Sequence, residues 1–205
     1  VLEGAPTILK NTDQHRTAGQ LLSHCLQRTD ATANLIAAVM KAVASLLMTV
    51  ADVDKKAYNE CIRQAVSPAV CKKLVDSIHD DDEPASDFLS AVIDGVIEAP
   101  KVFKETAIEW YNFGLLVANQ HDDLIDVGVR SLGIELSLCV LEQLTGQFKK
   151  RPDCIQSGLN VILQMMCQVE DCQEWYEADG PDADEDIDEV ATLGEQSIDR
   201  FAIAL

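Results

Sequence analysis

Aromatic residues make up only 5% of this 205-residue chain, and glycine (10) and proline (6) are sparse as well. That is too little turn punctuation for an all-β protein assembled from many short strands. Positive charge is scarce too: 16 Lys and Arg stand against 35 Asp and Glu, a formal net charge of −19. Such a surface repels phosphodiester backbones, which excludes direct nucleic-acid binding and favours a basic protein partner. The seven cysteines (Cys25, Cys61, Cys71, Cys139, Cys154, Cys167 and Cys172) contain no CxxC pair. An odd count at irregular spacing, in a chain with this much core, argues for a reducing compartment rather than a disulfide framework. The histidines (His15, His24, His79, His121) are scattered, and His24 and Cys25, being adjacent, do not easily reach one tetrahedral ion. No metal and no cofactor are expected. The longest apolar stretch, residues 35–50, is interrupted by Lys41 and falls short of the roughly 20 residues that span a bilayer, so no membrane insertion is expected.

What is present is apolar material, 47% of the chain, enough for a sizeable core and too much for wholesale disorder. The length suggests one domain or at most two. No charged-then-apolar leader precedes Val1, so no signal peptide is expected. At the other end Phe201, Ala202, Ile203, Ala204 and Leu205 form an apolar helical pattern without a cap. The expectation is a piece of a longer protein, cut at both ends.

Apolar residues recur with a helical period in most windows. Leu35, Ile36, Val39, Met40, Val43, Leu46, Leu47 and Val50 fall on one helix face. Phe88, Leu89, Val92, Ile93, Val96 and Ile97 repeat the pattern; Asp81, Asp82 and Glu83 precede it, where the helix dipole favours anions. Pro84 suits a first turn, and Pro100 limits the far end. Further helices are expected over residues 54–78, 101–119, 123–148, 153–169 and 191–205, with 18–26 the best helical stretch near the start. The segment 132–144 is apolar on most sides and belongs between neighbours. No window alternates apolar and polar residues as a half-buried strand does, so the fold class is all-α.

Helices starting near Thr32, Ser86, Asp123 and Ala191 each open a pair. Their first intervals, roughly 40–50 residues, match the period of HEAT-type hairpins, which stack to bury their apolar faces. Asp126-Val127-Gly128-Val129-Arg130 fits the D-x-x-V-R pattern that often opens such a unit. The expectation is one α-solenoid over 1–205, with hairpins 32–78, 84–119 and 123–169, an acidic loop 170–190 and the start of another repeat at 191–205.

Residues 170–189 hold eleven acids and no Lys or Arg: Glu170, Asp171, Glu174, Glu177, Asp179, Asp182, Asp184, Glu185, Asp186, Asp188 and Glu189. Gly180-Pro181 breaks any helix there, and like-charge repulsion predicts an extended loop. Trp175-Tyr176 is an aromatic pair embedded in acid. On charge alone such a run reads as a solvated spacer. A carboxylate catalytic pair is not expected, because nothing apolar is present to desolvate one acid and shift its pKa. No convergent set of titratable residues suggests an enzyme.

The ordered features at the C-terminal end resemble the importin-beta (karyopherin-beta) family of nuclear transport receptors, most closely the importin-beta-3 type. They are Cys167-Gln168-Val169-Glu170-Asp171, then Glu174-Trp175 and the acidic run. Asp188-Glu189-Val190-Ala191 and Gly194-Glu195-Gln196-Ser197-Ile198-Asp199-Arg200-Phe201-Ala202 follow. Upstream, Asp81-Asp82 through Pro100-Lys101, and residues 126–149, resemble the preceding repeats. The resemblance implies a right-handed superhelical receptor that shuttles between cytoplasm and nucleus. Its implied partners are the small GTPase Ran, cargo proteins with basic nuclear localisation signals, and nucleoporins. It also implies that the acids of residues 170–189, with Trp175, contact basic partner surfaces. The alternative is a HEAT scaffold of phosphatase- or chromosome-associated type, in which the run is a spacer.

Trp110-Tyr111 and Met165-Met166-Cys167 read as core at helical spacing. Lys149-Lys150-Arg151 reads as a helix-end cation knot or a partner for the acidic run. Asn59, Asn112, Asn160 and Gln164 fall on the polar faces of second helices, where they can meet a cargo backbone.

Overall fold

The computed structural model describes residues 83–98, 100–120, 125–168 and 189–205, with scattered positions between 17 and 42. The helix expected over 54–78 and the acidic residues from Glu170 to Asp188 lie outside the described residues. Among those described, every regular element is helical. They are α1 (Glu83–Glu98), α2 (Pro100–Phe103), a 3-10 turn (Lys104–Thr106), α3 (Ala107–Ala118), α4 (Val127–Gln143), a second 3-10 turn (Thr145–Gln147), α5 (Pro152–Met166) and α6 (Glu189–Ala204).

Periodicity places most of the core of α1: Phe88, Leu89, Val92, Ile93 and Val96 are buried, with Asp87, Asp94 and Glu98 on the exposed side, but Ile97, the last residue of the expected stripe, is exposed too. Its outer face is tied to an earlier helical position by the exposed pair Lys41 Nζ–Asp87 Oδ2 at 2.7 Å. Helix α4, apolar on most sides, is the central element and lies against α3, α1 and α6; α5 lies against α6 and α3. This is a stack of helices each packed on its neighbours, an all-α solenoid of HEAT type.

Two glycines set the closest packing, between α3 and α4. A Cβ on Gly114 would sit 2.5 Å from the Gly133 carbonyl, and one on Gly133 would sit 2.8 Å from the Ala118 nitrogen. The obstacles are backbone, so neither position has room for a larger residue. Ser137 reinforces the contact by donating to the Tyr111 carbonyl at 2.9 Å. The lower core is aromatic: Trp110 has its ring 6.2, 6.0 and 6.0 Å from those of Phe88, Phe103 and Phe113. Each such side chain contributes on the order of 1.5–3 kcal/mol by leaving water. The buried Trp110 indole N–H has no hydrogen-bond acceptor among the described residues.

Several helix limits differ from the periodic pattern for local reasons. The helix expected over 101–119 is interrupted at Thr106, which leaves helical dihedrals (φ −114°, ψ 16°). Its hydroxyl donates to the Phe103 carbonyl at 3.4 Å, the kind of side-chain bond by which Thr competes with the helix ladder. The helix expected from 123 starts at Val127, because Asp126 caps it by accepting from the Gly128 N–H at 2.7 Å. It stops before Leu144, and the Thr145 hydroxyl donates to the Leu141 carbonyl at 3.0 Å. Helix α5 ends at Met166 rather than 169, and α6 begins at Glu189 rather than 191.

Candidate protein-binding site

The helices on either side of the acidic run are each tied to a neighbour by an arginine. On the leading side Arg130 is fully buried. It donates from Nε to the Ala118 carbonyl (3.2 Å) and from Nη2 to the Gln168 side-chain oxygen (2.7 Å). Burial pulls its pKa down from the usual arginine value, although a guanidinium stays charged at any physiological pH. Arg130 therefore joins the end of α3 to the residue just past α5, two positions before Glu170.

On the trailing side Arg200 of α6 forks between two carboxylates of α4. It meets Glu142 at 2.9 and 3.0 Å, and also both oxygens of Glu135. This planar, two-sided arrangement is one that guanidinium supports and ammonium does not. The two acids raise the Arg200 pKa above its ordinary value. At Glu135 burial pushes the carboxyl up, but hydrogen bonds from Arg200 and Cys139 and the Arg200 charge outweigh it and hold it below the ordinary range. Cys139 lies 3.1 Å from Glu135, and burial first, then that carboxylate, push its thiol up to about 12. Gly194 brings α6 against α5: a Cβ there would lie 2.8 Å from the Met166 nitrogen.

Glu189 is the one predicted site residue with a described backbone, the first residue of α6. Glu170, Asp171, Glu174, Trp175, Glu177, Asp179, Asp182, Asp184, Glu185, Asp186 and Asp188 lie outside the described residues. Asn112, Asn160 and Gln164 are exposed as expected, whereas Asn59 lies outside the described residues. Trp110, Tyr111 and Met165 are buried core and Met166 is partly buried, but Cys167, expected in the core, is exposed because α5 ends just before it. In the basic knot Arg151 pairs with Asp153 at 2.8 Å, and Lys149 and Lys150 are exposed. Sequence reasoning missed Arg200, Glu135 and Glu142 as a unit. For Arg130 the D-x-x-V-R spacing was a signal for a repeat opening but not for burial.

Among the described residues no group of three or more His, Cys, Asp or Glu side chains is placed to hold a metal ion. The arrangement is that of a helical-repeat scaffold with a strongly acidic insertion between two anchored helices. Residues 121–205, which include that insertion, match the Importin repeat family model. The match takes in under half of the chain, and over that stretch the chain is similar to importin repeats. Its fold resembles a solved chain described as Kap121p bound to Ste12p, with a TM-score of 0.53 and 20% sequence identity. The similarity covers 91% of this chain and 21% of that one, so this chain spans about a fifth of that neighbour's length.

Proposed function

We propose that the chain is a non-enzymatic segment of a nuclear transport receptor, in which the acids of residues 170–189, with Trp175, engage basic surfaces of partners. The proposed partners are Ran and cargo carrying lysine-rich nuclear localisation signals, and nucleoporins follow from the same family reading, as does shuttling between cytoplasm and nucleus. The importin-beta-3 type rests on the sequence resemblance. The observation that carries the reading is the importin-repeat match over 121–205, because the acidic run falls inside it rather than beyond it. The solved neighbour's complex with Ste12p supports protein binding by such a scaffold. Eleven acids without an internal cation produce a concentrated negative field.

The equilibrium test uses the 205-residue chain and a variant with Asp182→Asn, Asp184→Asn, Glu185→Gln, Asp186→Asn and Asp188→Asn. Calorimetric titration with a lysine-rich peptide, and separately with Ran–GTP, is expected to show weaker binding to the variant for at least one partner. Equal affinities for both would leave the run a spacer.

A further inference from the structure

Helix α6 has a closed side and an open one. Val190, Gly194 and Phe201 are buried, whereas Thr192, Glu195 and Asp199 are exposed. Steps of three and four put these last three on one stripe, with Thr192 and Glu195 as neighbours. A Thr with a Glu three residues on is also the pattern of a capping box. The helix itself excludes that role: α6 begins at Glu189, so Thr192 lies inside its first turn and not at the N-cap.

Among the described serines and threonines, only Thr106 and Thr192 have an acid three residues on, Glu109 and Glu195. Thr106 is fully buried, and its hydroxyl is turned to the Phe103 carbonyl. Thr192 alone of the two is open to solvent. No Lys or Arg occurs between Arg151 and Arg200, and the residue after Thr192 is Leu193. A protein kinase that reads basic residues, or a proline after the acceptor, therefore finds nothing to hold here. One whose substrate groove is basic finds Glu195 on one side and Glu189 on the other.

We infer that Thr192 is a phosphate acceptor for an acid-directed protein kinase. The γ-phosphoryl group of ATP passes to Thr192 Oγ1, the hydroxyl proton goes to the kinase's own carboxylate base, and ADP leaves. First turns fray, which lets a kinase take Thr192 without undoing the buried side of the helix. The product carries about −1.5 to −2 further charge three residues after Glu189, the last acid of the run. It stands where the helix dipole favours an anion, so α6 is expected to stay folded once modified. Modification of Thr192 requires no basic partner and stands apart from the role proposed for the acidic run.

The test treats the folded 205-residue chain with ATP and, as the probe, casein kinase 2, followed by cleavage after glutamate. Cuts at Glu189 and Glu195 release residues 190–195, in which Thr192 is the single hydroxyl, and mass spectrometry reads the phosphate there. Incorporation at Thr192 is expected, with none at Thr106. Glu195→Gln should slow it at least about tenfold, the loss of one charge-assisted contact with the kinase. Fragmentation assigns the phosphate in that variant, whose peptide is longer, and circular dichroism verifies that it folds. Because no binding partner enters the measurement, its outcome is separate from success or failure of the acidic run. No phosphate at Thr192, phosphate there only in the denatured chain, or equal rates in the native chain and Glu195→Gln would each overturn the inference.

Discussion

The Tyr111 hydroxyl occupies the space that a side chain at position 158 would need: it donates to the Cys154 carbonyl, and a Cβ on Gly158 would overlap it. This contact joins α3 to α5. Gly158→Ala should destabilise the chain by about 1–3 kcal/mol, the usual cost of overpacking. Tyr111→Phe should cost about 1 kcal/mol, the worth of one hydrogen bond. The double variant should recover part of the Gly158→Ala loss but not all, because the Phe201 ring would still lie 2.8 Å from the new methyl. Urea unfolding of the four species measures the coupling, and strict additivity would contradict the contact.

Arg200 is the strap that holds α6 to α4. Its side chain and those of Glu135 and Glu142 are each about a third exposed, at 38%, 37% and 31%. Screening therefore keeps the contribution modest. Arg200→Gln is expected to cost on the order of 1 kcal/mol, or roughly 2–4 °C in Tm for a domain of this size. Limited proteolysis should then cut within α6 faster than in the native chain. Arg200→Lys should restore less than half of the loss, since a point charge cannot serve both carboxylates as the planar fork does.

Stability should be flat across neutral pH and fall at both ends. Glu135 has a lower proton affinity folded than unfolded, so its contribution is whole above the ordinary 4.5 and is lost as pH falls through the lower folded value. The difference between native and Arg200→Gln should accordingly narrow in acid. Cys139 behaves oppositely. Its contribution is whole below the ordinary 9.0 and is lost as pH rises toward about 12. Urea midpoints across pH check both limbs, and an acid limb identical in native and Arg200→Gln would contradict the role given to Glu135.

Thiol accessibility offers an independent check on packing. Cys167 is exposed beyond α5, while Cys139 and Cys154 are buried and their thiols are pushed up, in each case by burial first. Alkylation followed site by site by mass spectrometry should label Cys167 rapidly and the other two only on unfolding. Early labelling of Cys139 would show α4 and α6 to be apart.

The helices were legible because burial repeats along them with one period. Phe88 to Val96 could be assigned to the core from spacing, and the all-round apolar segment 132–144 could be placed between neighbours. The interruption at Thr106 was not legible, since a Thr hydroxyl turning back on a carbonyl leaves no mark in hydropathy. The Arg200–Glu135 contact was hidden for another reason: the residues are 65 apart in sequence, and nothing local couples them. Of the candidate site, the acidic run was visible as composition, and Asn112, Asn160 and Gln164 as polar positions on second helices.

The central claim is that the acidic run draws in basic partners through its field, and association kinetics test it most directly. A field of this kind acts mainly on the encounter rate and is screened over about 8 Å at physiological ionic strength. Stopped-flow association of a lysine-rich peptide, and of Ran–GTP, should be measured across a salt series for the native chain and the five-fold neutralised variant. The account predicts slower association of the variant at low salt, by about tenfold, and a flatter dependence on salt, with the two chains converging at high salt. Identical rates and identical salt slopes for both partners would contradict it.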